Sequence, residues 1–246
     1  MASLRESLLG VMDRKHHWAY PALTRPGLSA AQLFTHFRHE YLVYVRDFPV
    51  LLARALGVVP PIDDVRGSLA ANLYEEQTGG LSGTDAHPKL FVRMMAGLGL
   101  DAAAFIDDDA WLHPAALRYR DFLRARSSAA PWQAGVALLT IFVEGSVNER
   151  AELAGTFARR RGDEAVRAHP LVLHYGCPAA AMDLARAHAQ VEGDHRGDAW
   201  RMVLENAGEA GGATAAAVVE TCEEALALWH GYRDGVAERM GLQRGE

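Results

Sequence analysis

Three short stretches of the chain place side chains suited to metal or proton chemistry at spacings that matter. The first is DLARAHAQVEGDHRGDAW, residues 183–200, which holds His188, Glu192 and His195 in an H-x3-E-x2-H run. At about 100° per residue these sit at roughly 0°, 40° and −20° on a helix. Two imidazoles and a carboxylate therefore share one narrow face over about two turns. That ligand set suits iron, and inward-facing residues of bundle helices are where such sites are assembled. A solvated helix face with an ion pair has the same pattern, so the stretch gains weight only if the rest of the chain supplies further ligands.

The second stretch is NLYEEQTGGLSGTDAHP, residues 72–88. On one unbroken helix Glu76 and His87 would lie about 16 Å apart at ~1.5 Å per residue, too far to share an ion. The run Gly79-Gly80-Leu81-Ser82-Gly83 reads as a loop, which could fold the chain back and bring the two together. Glu75 is an alternative to Glu76 as the ligand. The third stretch is IFVEG, residues 141–145. There Glu144 follows a strongly apolar run, and a buried carboxylate without a partner costs several kcal/mol or stays protonated. A metal is a suitable partner. Glu76, His87, Glu144, His188, Glu192 and His195 together give three carboxylates and three imidazoles. That set suits two Fe(II) ions with a bridging carboxylate and open positions for O2.

These residues need helices to position them, and the apolar periodicity supplies helices only. Residues 4–16 predict a short helix. Ser29 is an N-cap for a long one over 30–56, kinked at Pro49. Asp63-Asp64 open a helix to about residue 77. Another resumes near Asp85 and runs through His87-Pro88 to about residue 97, with the proline tolerated in its first turn. Asp101 and Asp107–Asp109 cap a short helix and then a longer one over 114–126. Further helices are expected over 132–161, 164–175, 178–205 (with a break near Gly193 or Gly197) and 214–240. No alternating Val/Ile/Thr run or Asn-Gly hairpin occurs. The expectation is an all-α bundle of seven to eight helices in one domain over residues 1–246.

Composition narrows the class. The 246 residues are half hydrophobic and 23% charged, ordinary for a globular chain. The net charge of −6, without a long run of one sign, points away from nucleic acid and anionic membranes. No apolar run approaches the ~18 to 20 residues of a membrane span. The N-terminus lacks the apolar core of a secretory signal. Cys177 and Cys222 are too few and too far apart for a zinc motif or a disulfide framework. The expected location is the cytoplasm. Cys177, between Gly176 and Pro178, reads as a loop thiol. Tyr20, Tyr41 and Tyr44 read as core packing, with lining a cavity as the alternative, and the other eight histidines as surface or hydrogen-bonded core.

With its three blocks in order, the chain resembles the haem-oxygenase-like diiron oxidases and oxygenases, which share a fold with the thiaminase TenA and the cofactor-free quinone synthase PqqC. NLYEEQTGG…HPKLFVRMMAGLGL is similar to the family's first core segment, IFVEG to the second, and HAQVEGDH to the H-x3-D-x2-H motif of the third. FRHEYLVYVRDFPVLLARAL is similar to an upstream helix, so the likeness spans roughly residues 15–200. It implies metal ligation by Glu76, His87, Glu144, His188, Glu192 and His195, with two Fe(II) as cofactors and O2 as co-substrate. The reaction it implies is oxidation or oxygenation of a small organic substrate, amino-acid- or fatty-acid-like, in secondary metabolism. The expected partners are that substrate and an external electron donor, with a homodimer left open.

The chain also departs from the family pattern. Glu192 stands where Asp is usual, and the loop between Glu76 and His87 is longer than in some relatives. N-oxygenating relatives carry an extra carboxylate where this chain has Val50, Leu51 and Leu52, with Asp47 the nearest acid. Relatives that consume their own lysine have one where this chain has Ala154. The alternatives are a metal-free enzyme of the PqqC or TenA type, with Cys177 as a TenA-like nucleophile, and a non-catalytic helical partner protein.

Overall fold

Two long helices, α12 (Asp183–Asn206) and α13 (Ala213–Arg239), organise the computed structural model. It describes residues 2–101, 103, 109–157, 160, 162–209 and 211–244, apart from the side chains of residues 191–196. Helix α13 packs against α1 (Leu4–Met12), α3 (Ala30–Glu40), α7 (Pro114–Arg126) and α8 (Trp132–Val136). Helix α12 packs against α5 (Asp63–Thr78), α6 (His87–Gly97), α8 and a π-helical segment, Ala137–Val143. Helix α4 (Phe48–Val58) lies on α5. Short helices α2 (Tyr20–Leu23), α9 (Glu149–Leu153), α10 (Gly162–Arg167) and α11 (Pro170–Tyr175) complete an all-α architecture, with no strand among the described residues. None of these helices is long and apolar enough to cross a membrane.

Local chemistry explains most boundaries. Ser29 and Gln32 form the capping box that opens α3: Ser29 Oγ accepts from the Gln32 amide at 3.3 Å, and the Ser29 amide donates to Gln32 Oε1 at 2.8 Å. Pro88 and Pro114 sit in the first turns of α6 and α7, where a missing N–H costs nothing.

Several expected helices are shorter or divided. The one expected over 30–56 is α3, a π-helical segment Tyr41–Val45, and α4, so Pro49 opens a new helix rather than kinking an old one. The one expected over 132–161 is α8 and the π-helical segment to Val143, then, after a turn, α9; residues 158, 159 and 161 lie outside the described ones. The end at Val143 is fixed by Lys15, whose Nζ donates to the carbonyls of Phe142, Val143 (3.2 Å) and Gly145 (2.8 Å). At Gly145 a Cβ would stand 2.2 Å from Ile141 O and 2.8 Å from Met12 Cε, so only glycine fits this turn. The expected 164–175 helix divides before Pro170. In contrast, α12 is continuous through Gly193 and Gly197; packing outweighs the roughly 1 kcal/mol that each glycine costs a helix.

The buried side chains form two clusters, one including Leu52, Tyr119, Phe142 and Trp200, the other Leu90, Phe91, Met94, Met182 and Ala187. Where they meet, a cavity of about 330 Å³ opens between α5, α6, α12 and the two π-helical segments. π-helical turns commonly mark functional sites because they re-aim side chains that an α-helix would present elsewhere.

Candidate metal centre

The glycine loop does what the sequence expectation asked of it. Helix α5 ends at Gly79 in the left-handed conformation (φ 66°), where a Cβ would also lie 2.5 Å from Asp85 O. The Thr84 amide donates to Gly79 O at 2.9 Å and closes the loop. The chain then enters α6 with His87 facing back to α5, and His87 Nδ1 lies 2.9 Å from Glu76 Oε1. From the other side α12 brings His188, whose ring centroid is 5.0 Å from that of His87. One ligand atom from each of Glu76, His87 and His188 falls within 4.8 Å of the other two. Two ligands of a first-row ion at about 2.1 Å each can stand up to ~4.2 Å apart, so closing this trio on an ion takes little movement.

Adjacent carboxylates Glu75 and Glu76 play opposite parts. Glu75 is fully buried and its hydrogen bonding is satisfied. Oε2 accepts from the amides of Leu81 (2.8 Å) and Ser82 (3.0 Å), and Oε1 pairs with His87 Nε2 at 3.1 Å. Burial would push the Glu75 carboxyl up, but these donors outweigh it and hold it below the usual range. Both ring nitrogens face carboxylates, which only accept; the aligned hydrogen bond is the one at Nε2, so in neutral His87 the proton is assigned there and Nδ1 faces Glu76 as an acceptor. No well-aligned hydrogen bond reaches that Nδ1, although it is buried. Two acceptors 2.9 Å apart call for a cation or a shared proton between them. Burial alone would lower the His87 pKa, but the Glu76 and Glu75 carboxylates outweigh it and hold it above its ordinary value. A carboxylate that orients a ligating imidazole from behind is the usual support of a metal-bound histidine. The choice between Glu75 and Glu76 thus falls to Glu76 on geometry.

Glu144 follows the π-helical segment directly and lines the same cavity as Glu76, His87 and His188. Asn72 Nδ2 donates to Glu144 Oε1 at 2.8 Å and aims the carboxylate. The side chains of Glu192 and His195 lie outside the described residues. The donor set that is described, two carboxylates and two imidazoles around one cavity, fits Fe(II).

Residues 35–230 match the Haem_oxygenas_2 family, iron-containing redox enzymes. The chain belongs to this family. Two solved structures share its fold. One is a TenA homolog from Pseudomonas syringae pv. tomato, with TM-score 0.69 and 15% identity, covering 96% of this chain and 91% of that one. The other is a domain of unknown function with a heme oxygenase-like fold from Shewanella denitrificans, with TM-score 0.62 and 14% identity, covering 96% and 88%. At such identities the likeness is one of fold. No curated protein matches the chain.

In this family member the cavity also holds Glu40, which the sequence reading passed over, and Tyr44, for which lining the cavity was the alternative to packing. Glu40 and Tyr44 line it, and Tyr44 Oη donates to Glu40 Oε2. Tyr44 is thus a cavity residue as well as a packing one. Tyr41 stacks on Phe91 with ring centroids 5.7 Å apart, and Tyr20 lines a separate small cavity. The signal for Glu40 was legible: an acid set among Phe37, Tyr41 and Tyr44 has the same apolar context that singled out Glu144. Asn72, one turn before Glu76, was legible in the same way. Lys15 was not, because only the fold brings it to the turn that carries Glu144. Asp47 does not line the cavity; Arg46 (Nε and Nη2, both 2.8 Å) and Arg124 (2.8 Å) bind it. Cys177 is buried against Met94 O (3.8 Å) and Met182 Sδ (3.5 Å), does not line the cavity, and burial pushes its thiol up. That placement speaks against a nucleophilic role there.

Proposed function

We propose that the protein is a non-haem diiron oxidase or oxygenase acting on a small organic substrate in the 330 Å³ cavity. The observation that carries this reading is the buried His87 Nδ1 facing Glu76 Oε1 at 2.9 Å, with Glu75 Oε1 3.1 Å from the far nitrogen. Glu76, His87, Glu144 and His188 would hold iron, joined by Glu192 and His195. When bound, iron supplies O2 binding and electron transfer to it, with an external donor restoring Fe(II). The chain's own contribution is positional. Glu75 orients His87, Asn72 orients Glu144, and Lys15 fixes the turn that carries Glu144. Val45, Phe48, Phe91, Val143 and Leu184 give the cavity an apolar wall that limits water near the reacting atoms.

The same pair also supports a second reading. A His87 held protonated between two carboxylates could serve a metal-free enzyme as an acid. Anaerobic Fe(II) loading followed by O2 separates the two. The diiron reading expects iron-dependent O2 consumption and a transient visible absorption, both lost in His188→Ala. Iron-independent turnover, with no iron retained by the native protein, would support the acid instead. Loss of neither iron nor activity on replacing these side chains would sink both and favour a non-catalytic role.

A further inference from the structure

Reduction of O2 draws protons as well as electrons, and neither the apolar wall of the cavity nor Glu40 is a source of them. Glu40 Oε1 is bound by Arg233 Nη1 and by Tyr232 Oη at 3.2 Å; Oε2 accepts from Tyr44 Oη, which Arg233 Nη2 reaches at 3.4 Å. Burial alone would raise the Glu40 carboxyl, but Arg233, His36 and the Tyr44 hydrogen bond outweigh it and bring it down to about 2. At neutral pH it is an anion with no proton to give.

Another part of the lining is built differently. Behind Asn72 and Thr140, the two residues that line both spaces, lies a small pocket of about 30 Å³. Helix α5 gives it Ser68 and Asn72, the π-helical segment Ala137–Val143 gives Thr140, and α12 gives Asp198. Asn72 and Thr140 are buried, Ser68 is half-buried, and the Asp198 side chain is 43% exposed, so the far end of the pocket reaches solvent. A water molecule needs roughly 10–15 Å³ on the same measure and about two to four polar partners. The pocket meets both conditions.

Only one of the two shared side chains can pass a proton on. Asn72 Nδ2 donates to Glu144 Oε1 at 2.8 Å, and a side-chain amide has no proton that it readily exchanges for another. Thr140 carries a hydroxyl, which both donates and accepts and whose hydrogen rotates to suit its partners. It donates to Val136 O at 2.9 Å, a local bond back along its own helical turn.

We propose that Thr140 is a proton-delivery residue, supplied by water held in the small pocket and replenished from the Asp198 face. The use of the proton rests on the diiron reading; the wet pocket does not. In the step, the water gives a proton to Thr140 Oγ1 while Thr140 releases its own hydroxyl proton into the main cavity. The hydroxyl ends as it began, and the water recovers a proton from solvent. Each electron that the external donor sends to O2 is matched by one proton, so no charge accumulates. A substrate filling the main cavity displaces water there, whereas the pocket behind Asn72 and Thr140 stays wet.

Two measurements test this. On the metal-free protein with labelled threonine methyl groups, NMR is expected to show a long-lived water contact at the Thr140 methyl. That contact is expected to vanish in Ser68→Leu, which fills the pocket. On the anaerobic Fe(II)-loaded protein, oxidation by O2 is followed by stopped flow in H2O and D2O. Thr140→Val keeps the side-chain shape and removes the hydroxyl. It is expected to bind the native amount of Fe(II), the check that fold and ligands are intact, but to oxidise about 100-fold more slowly, with a larger solvent isotope effect. Thr140→Ser, which keeps the hydroxyl, is expected to stay near the native rate. Absence of a water contact at Thr140 in the native protein would overturn the proposal, as would Thr140→Val oxidising at the native rate with its iron bound. A native chain that retains no iron defeats the diiron reading and the delivery role together, while the water contact still decides the pocket by itself.

Discussion

The two polar groups of the cavity are both buried and both rich in charge, yet one is complete and the other is not. Around Glu40 each oxygen has a donor, and the guanidinium of Arg233 balances the carboxylate. Around His87, Nδ1 faces a carboxylate oxygen at 2.9 Å with no well-aligned hydrogen bond between them. Buried polar groups in folded proteins are satisfied as a rule. A network satisfied by the chain itself is structure or a binding surface. One left short of a cation indicates what it is made to hold.

Replacements that break this contrast should produce effects of different size. The largest is expected at the incomplete group. Glu76→Ala or His188→Ala should cost more than the roughly 100-fold in metal affinity that marks loss of a supporting partner, measured by anaerobic Fe(II) titration. Urea unfolding checks that the fold is retained, since Glu76→Ala also removes the 2.9 Å pair with His87. At the complete group the order reverses. Arg233→Met strands the Glu40 charge and should destabilise by about 3–5 kcal/mol in urea unfolding, with Glu40→Gln/Arg233→Met recovering most of that loss. Equal instability of the single and double variants would show that the pair is not what matters there. Glu75→Gln is intermediate. It keeps the shape but weakens the acceptor behind His87, and should lower Fe(II) affinity about 10- to 100-fold without moving the unfolding midpoint far.

The pH dependence follows from the same comparison. The Glu40 carboxyl is brought down from 4.5 to about 2 in the folded protein. The unfolded chain therefore binds more protons between those values, and stability rises with pH across that window. The contribution is fully present above about 4.5 and is lost as the pH falls through about 2. Acid unfolding of Glu40→Gln/Arg233→Met should accordingly be less steep over pH 2–4.5 than that of the native chain. The smallest effect is expected at Cys177→Ala: iron binding unchanged and stability within about 1 kcal/mol, since the thiol lies outside the cavity. Loss of turnover in that variant would revive the nucleophile.

Much of this was legible along the chain because the relevant physics is local. Helical periodicity gave an all-α fold, and Ser29 opened α3 as its capping chemistry requires. The glycine-rich run Gly79–Gly83 marked the place where Glu76 and His87 could meet, and they do meet there. What escaped was long-range or involved choosing between neighbours. Nothing in the order Glu75-Glu76 says which one faces the cavity; the amides of Leu81 and Ser82 decide it by occupying Glu75. Lys15 stops a helix that begins more than a hundred residues later. Arg233 fixes the charge of Glu40 across a gap of 193 residues. The two π-helical segments were illegible because a one-residue insertion leaves the apolar pattern almost unchanged while redirecting Tyr44 and Glu144.

The central claim is that the group around His87 is completed by iron. It is tested most directly by counting irons on protein loaded anaerobically with Fe(II) and freed of excess, for the native chain and for His188→Ala side by side. The account predicts about two irons per native chain and fewer than about one, weakly held, in the variant. A native chain that retains no iron, or a variant that retains as much as the native chain, would contradict it.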